Sequence, residues 1–283
     1  MAFNFVKLDE SKLPKTKGKR IDGMRFYDVD GHNYPSVTTV LGYNTGDGIK
    51  KWRESIGEDV ANYEMRRAAA RGKATHNLIE QYIKGETASE SAVLPIGLFR
   101  LIKPYVDQID NVHLLEAIMY SKKLTLAGQV DCVAEYNGKL SVIDFKTSNK
   151  FKQEEWVQNY FMQCTAYAIM YEELFGKPIE QIVVLIACED GNAQTYIKEK
   201  KDFVAPLTKQ IEGFYKYYEE LNKDKISKLS KKTSVIYRNY KKNYNENEIK
   251  KIQKLCKSLK LKFYLANNIK LVLKLNLDGA YVL

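Results

Sequence analysis

Residues 181–188 form a continuous apolar run, the pattern of a strand buried on both faces. Before it, residues 154–175 place apolar positions at amphipathic-helix spacing, and Gly176 and Pro178 mark the end. Before that, two stretches rich in Val, Ile and Phe flank Asn137-Gly138, one of the strongest hairpin signals, because a two-residue type I′ turn needs positive φ at both positions. From Leu140 to Cys188 the order is strand, helix, strand, which predicts a right-handed crossover. Residues 112–120, carrying Glu116, read as a preceding strand with a turn at 121–123, and residues 194–198 as a following one.

Upstream, residues 1–34 are polar and are expected to be irregular, apart from a small hairpin over 27–34 that turns at Asp30-Gly31. Residues 35–41 predict a short helix with Ser36 near its N-cap. A glycine-rich loop at 42–48 leads into helix-forming sequence over 50–84, with Gly85 as the residue that ends it. A further helix is expected over 95–110. A closing helix over 202–222 bears an aromatic stripe of Phe214, Tyr217 and Tyr218, which reads as core packing.

At 283 residues the chain can bury a sizeable core. Its net charge of +10 suggests nucleic acid, but the distribution changes that picture. Residues 222–283 hold 16 Lys and Arg against 4 Asp and Glu, so residues 1–221 hold 29 against 31. Any DNA contact in the main part must therefore come from local clustering, such as Arg66, Arg67, Arg71 and Lys73 on the 50–84 helix, where a solvated basic face is an equal reading. Cys132, Cys164, Cys188 and Cys256 are far apart, which suits a reduced, cytoplasmic compartment and argues against zinc-finger ligation. No apolar run is long enough to span a membrane, and the N-terminus lacks a signal-peptide core.

The hairpin carries the candidate chemistry. With Asn137-Gly138 as its loop, Tyr136 pairs with Lys139, Glu135 with Leu140, Val133 with Val142, and Asp131 with Asp144. Opposed side chains have Cβ atoms roughly 4.5–5.5 Å apart, and like charges there repel. Lys146, two residues on, points to the same face as Asp144. An Asp pair neutralised by a neighbouring Lys is the plain alternative. Here, however, the pair lies among Val130, Cys132, Val142, Ile143 and Phe145, where charge needs a partner or an ion. A divalent cation would resolve the repulsion, which makes this a candidate phosphodiesterase site. His76 shares a helix face with Gly72 and Glu80, and Gln163 shares one with Tyr167.

Gly72-x-x-x-His76, Glu116, Gly128-x-x-Asp131, Asp144-x-Lys146 and Gln163-x-x-x-Tyr167 resemble, in order, the motifs of RecB-like nucleases of the PD-(D/E)xK superfamily. The stretch from Tyr34 to Leu41, Trp52-Arg53 and Arg71 to Glu80 are similar to phage exonucleases related to the mitochondrial genome maintenance exonuclease. The similarity covers residues 25–220. It departs from the superfamily name in having no proline before Asp144, and from the iron–sulfur branch in lacking the four flanking cysteines, so no iron–sulfur cluster is expected.

The resemblance implies an α/β, restriction-endonuclease-like nuclease domain over residues 1–225, a mixed central sheet flanked by helices with an N-terminal helical arch, and a basic appendage over 226–283. The appendage's repeated strand–helix order resembles a fragment of a barrel. The resemblance further implies that Asp131, Asp144, the Phe145 carbonyl and His76 bind Mg²⁺ or Mn²⁺. Glu116 would hold a second ion or a metal-bound water. Lys146 would orient and help deprotonate the attacking water or stabilise the phosphorane. Gln163, Tyr167, Thr147, Ser148, Arg71 and Arg67 would contact or position single-stranded DNA, cut to 5′-phosphate products. The rival readings are a structure-specific endonuclease and a non-catalytic DNA-binding module.

Overall fold

The computed structural model describes residues 3–88, 92–228, 233–237 and 245–281. The chain divides into two compact units, 1–211 and 212–283.

In the first unit, a three-stranded antiparallel sheet is built from β1 (Gly18–Ile21), β2 (Met24–Val29) and β3 (His32–Pro35). The expected hairpin is β2–β3. The β1–β2 hairpin replaces the irregular chain expected upstream, and it turns at Asp22-Gly23, with φ of 51° and 80°. That is the same Asp-Gly turn chemistry as at Asp30-Gly31.

Three helices follow: α1 (Val37–Gly42), α2 (Gly46–Ile56) and α3 (Glu58–Lys84). Ser36 caps α1 by accepting the Thr39 N–H. The single helix expected over 50–84 is broken at Gly57. Its φ of 86° and ψ of 150° lie in a region that side-chain-bearing residues scarcely enter. Gly85 ends α3 in the left-handed conformation, as expected. The next helix, α4, spans Val93–Val106 rather than 95–110.

The central sheet runs β4 (Ile109–Ser121), β5 (Leu126–Tyr136), β6 (Lys139–Ser148), β7 (Gln181–Cys188), β8 (Ala193–Glu199) in spatial order. All neighbours are antiparallel except β6 and β7, which are parallel and joined by α5 (Gln158–Phe175). This is the expected crossover, with a 3₁₀ turn at Glu154–Trp156 in place of the helix's expected first turn. On one face, Ile79 and Ile83 of α3 and Leu98, Ile102 and Val106 of α4 form one core with Ile143, Phe145, Val183 and Leu185. On the other, α5 buries Phe161, Cys164, Ala168 and Tyr171. The sheet is thus mixed and enclosed between helices, the core inferred from the resemblance. Among the described residues, no helix is long and apolar enough to cross a membrane.

The second unit begins within α6 (Lys201–Ser227) and continues through β9 (Ser234–Tyr237), α7 (Glu246–Ser258), β10 (Lys262–Ala266), α8 (Ile269–Leu275) and β11 (Gly279–Tyr281). The three strands are parallel, with β10 in the centre. Ile249, Cys256, Phe263, Leu265 and Leu271 form a core of their own. The aromatic stripe on α6 is only partly core: Phe214 is fully buried, whereas Tyr217 is 38% exposed.

Candidate active site

The β5–β6 hairpin is regular at its turn. Asn137 and Gly138 have φ of 52° and 75°, and Tyr136↔Lys139, Glu135↔Leu140 and Val133↔Val142 pair as the sequence predicts. The ladder stops after Cys132↔Ile143. Beyond that point β6 continues alongside β7, with Asp144 opposite Val184 and Lys146 opposite Ile186. The backbone of Phe145 would be left without partners on its open side, a cost that buried peptide groups rarely bear. Two side chains take the place of the missing strand. Asp131 Oδ2 accepts the Phe145 N–H at 2.9 Å, and His76 Nε2 lies 2.6 Å from the Phe145 carbonyl oxygen.

His76 comes from α3, and its other ring nitrogen, Nδ1, faces Glu116 Oε1 at 3.8 Å and Asp131 Oδ2 at 3.7 Å. Burial works against a charge on the ring, but Glu116 and Asp131 outweigh it and raise the His76 pKa to about 9. In the metal-free protein the imidazolium therefore donates to Phe145 and fills the gap between the carboxylates. His76, Glu116 and Asp131 offer ligand atoms that all lie within 4.8 Å of one another. One imidazole and two carboxylates make an oxygen-rich donor set that suits a hard divalent ion.

Glu116 lies across from Asp131, between the pairs Leu115↔Cys132 and Ala117↔Val130. Its φ of 50° is left-handed. For a residue with a side chain this costs on the order of 1–3 kcal/mol. Gln129 offsets it by donating its amide to both the Glu116 carboxylate (2.8 Å) and the Glu116 carbonyl (3.1 Å). The motif pattern passes over Gln129, although it stands inside the Gly128-x-x-Asp131 stretch.

Asp144 and Lys146 point to the α5 side. Asp144 Oδ1 accepts from Lys146 Nζ at 2.6 Å and from Gln163 Nε2 at 2.9 Å. Its Oδ2 lies 2.5 Å from the same Nζ, so both carboxylate oxygens face the Lys146 ammonium. Burial pushes the Asp144 carboxyl up to about 6, against the pull of Lys146. Burial also opposes the charge on Lys146, but Asp144 and Asp131 outweigh it and hold the ammonium above the usual lysine range. The Tyr160 ring lies 5.0 Å from the same ammonium.

Tyr167 is buried on α5 and explains Gly128: a Cβ there would come within 2.9 Å of the tyrosine ring and hydroxyl. The other expected DNA contacts are engaged within the protein. Arg71 is not on a solvated basic face; it is 6% exposed and its guanidinium engages Glu189, Asn149 and Thr147. Arg67 pairs with Glu189 at 2.6 Å and with Glu64. The Ser148 hydroxyl donates to the Lys150 carbonyl at 2.7 Å, closing a local turn instead of facing outward. Both arginines and Thr147 thus fasten α3 to the ends of β6 and β7. Glu189 and Asn149, which no sequence motif singles out, complete that network. The four cysteines are free and buried.

The site thus gathers His, Glu, Asp and an Asp-x-Lys where two strands of a helix-flanked mixed sheet part. The sequence matches the PD-(D/E)XK nuclease superfamily over residues 50–267, and the chain belongs to that superfamily. Among curated proteins it is similar to the mitochondrial genome maintenance exonuclease 1 of Homo sapiens, with 29% identity over 174 residues, 56% of this chain and 50% of that protein. The Mus musculus protein of the same name is 28% identical over 177 residues (57% and 52%), and that of Xenopus tropicalis 27% over 173 (56% and 49%). The chain spans about half the length of these relatives.

Proposed function

We propose that the chain is a divalent-metal-dependent exonuclease that hydrolyses single-stranded DNA to 5′-phosphate products. The carrying observation is the grouping of His76, Glu116 and Asp131 around the Phe145 backbone, beside the buried Asp144–Lys146 pair. His76, Asp131, Asp144 and the Phe145 carbonyl would hold Mg²⁺ or Mn²⁺, with Glu116 at a second ion or an ordered water; the imidazole inclines the site toward Mn²⁺. The bound cation supplies Lewis-acid neutralisation of phosphate charge and a more acidic water.

The protein's own groups do the rest. Lys146, held as an ammonium, donates to phosphate oxygens as their charge grows, a role that suits it better than accepting a proton. Gln163 fixes the Asp144 carboxylate, and Tyr167 fixes β5 through Gly128. Arg71 and Arg67 act through Glu189 to keep the His76 helix seated. Helices α1 to α3 serve as the arch that admits one strand and excludes a duplex, which is the basis for the single-strand preference. The names of the relatives favour exonuclease over endonuclease action.

The test is digestion of 5′-labelled and 3′-labelled linear single strands beside a circular one, with Mg²⁺, Mn²⁺ or EDTA. Loss of the linear strands only, dependent on metal and cut at least about 10²-fold by Lys146→Ala, is the expected outcome. Cleavage of the circle would replace the exonuclease with an endonuclease, and cleavage in EDTA would overturn the metal requirement.

A further inference from the structure

The segment joining β6 to α5 leaves the strand that bears Lys146 and returns as the helix that bears Tyr160 and Gln163. It is held by an unusual density of polar contacts. Ser148 closes its first turn. The Phe151 N–H donates to Asp190 Oδ2 at 2.8 Å. The Lys152 backbone is held on both sides: its N–H donates to Gln194 Oε1 at 2.8 Å, and its carbonyl accepts from Gln194 Nε2 at 2.7 Å and from the Tyr196 hydroxyl at 2.8 Å. Gln194 is itself 6% exposed, so this polar side chain is buried to grip the loop. Glu154 pairs with Lys198 at 2.6 Å, and its carbonyl accepts from Gln158 at 2.9 Å.

This rigid loop leaves its two aromatic rings in water. Phe151 is 53% exposed and Trp156 64% exposed. Burying such rings is worth far more than leaving them out, and a flexible loop would fold them in. Trp156 ends the 3₁₀ turn just before α5, the helix whose Tyr160 ring lies 5.0 Å from the Lys146 ammonium. Phe151 is flanked by Lys150 and Lys152. Of the two acids in the segment, Glu154 is neutralised by Lys198, leaving Glu155. Exposed aromatic faces interleaved with lysines, held on the segment that joins the Lys146 strand to the Tyr160 helix, match the chemistry of unstacked nucleobases. Such bases present a π-face to any aromatic, while their phosphates follow cationic side chains.

We infer that Phe151 and Trp156 form a base-stacking platform that receives nucleotides of a single strand next to the cleaved phosphate. The inference rests on the proposed nuclease function and refines its substrate: the strand must offer bases free to stack, and an abasic backbone of equal charge must bind less well.

Trp52 and Trp156 are the two tryptophans, so a Trp52→Phe protein reports on Trp156 alone. With Lys146→Ala added to slow turnover, and Mg²⁺ present, that protein is titrated with an oligothymidylate and with an abasic oligomer of the same length. Quenching of Trp156 by the first and not by the second is expected. Trp156→Ala should weaken oligothymidylate binding about tenfold and Trp156→Phe should restore most of it, as a stacking contact requires. Equal binding by Trp156→Ala and the parent would overturn the platform while leaving the nuclease reading intact. Failure of the unmutated protein to bind or cut any single strand would instead overturn the reading beneath it. Quenching by both oligomers alike would reassign the segment to backbone binding and sink the stacking claim.

Discussion

The two ends of the β5–β6 hairpin are built from similar alternating residues and behave in opposite ways. Near the turn, from Tyr136 back to Cys132, every residue has its partner across the ladder, and its backbone is satisfied by another strand. At the far end the ladder is abandoned and side chains replace it. Asp131 takes the Phe145 N–H and His76 takes its carbonyl. The difference teaches where chemistry can be placed in a sheet. A paired strand has no spare polar capacity, whereas a parted one exposes backbone groups and draws in ionisable side chains to satisfy them. Those side chains stay close together, with their ligand atoms all within 4.8 Å of one another.

The largest break in this contrast comes from Asp131→Ala. It removes a carboxylate from the site and orphans the Phe145 N–H, so metal-stimulated cleavage should fall at least about 100-fold. Stability should fall by about 1–3 kcal/mol, read from urea unfolding in EDTA. A smaller effect of equal size on the metal-free and metal-loaded proteins would mean that Asp131 only plugs a gap in the ladder.

Next comes pH. The folded His76 pKa of about 9 lies above the ordinary histidine value near 6.5. A raised pKa means that the folded state binds the proton more tightly than the unfolded chain. The associated stability is therefore fully present below about pH 6.5 and is lost as pH rises through about 9. Unfolding of the metal-free protein at pH 6 and pH 9.5 should differ by up to about 3 kcal/mol, and His76→Asn should flatten that difference. A wild-type profile that is level over this window would remove His76 from between the two carboxylates. A divalent ion needs the deprotonated ring, so metal affinity should rise over the same pH range.

The smallest effect belongs to the turn. Gly138 has φ of 75°, and Gly138→Ala should cost about 1–2 kcal/mol in thermal unfolding. Cleavage below the unfolding temperature should not change, because the paired end holds the strands and takes no part in the chemistry. A loss of activity matching that of Asp131→Ala would show that the two ends are not separable.

Much of this can be read in advance, for reasons that are local. The type I′ turn at Asn137-Gly138, the strand–helix–strand order and the cap at Ser36 depend on short-range backbone preferences, and each appears where the residues ask for it. The first hairpin is equally legible in Asp22-Gly23, but its strands are exposed along β1 and carry no apolar pattern to announce them. The break at Gly57 is harder to foresee, because glycine inside a helix-forming stretch is tolerated and only its observed φ shows that the helix ends there. Arg66, Arg67, Arg71 and Lys73 look like one basic face in the sequence, but Glu189, more than a hundred residues away, holds Arg67 and Arg71.

The sequence by itself determined the superfamily motifs, their order and the side chains that gather at the site, because these depend on residue type and on the periodicity of strand and helix. Tertiary structure alone decided that β5 and β6 part at Asp131, that His76 reaches across from α3 to replace a strand, and that Arg71 is bound inward. It also decided that Phe151 and Trp156 stand in water on a fixed loop. Each of these depends on partners distant in the chain, and a backbone group or a charge is satisfied by whatever the fold brings within reach.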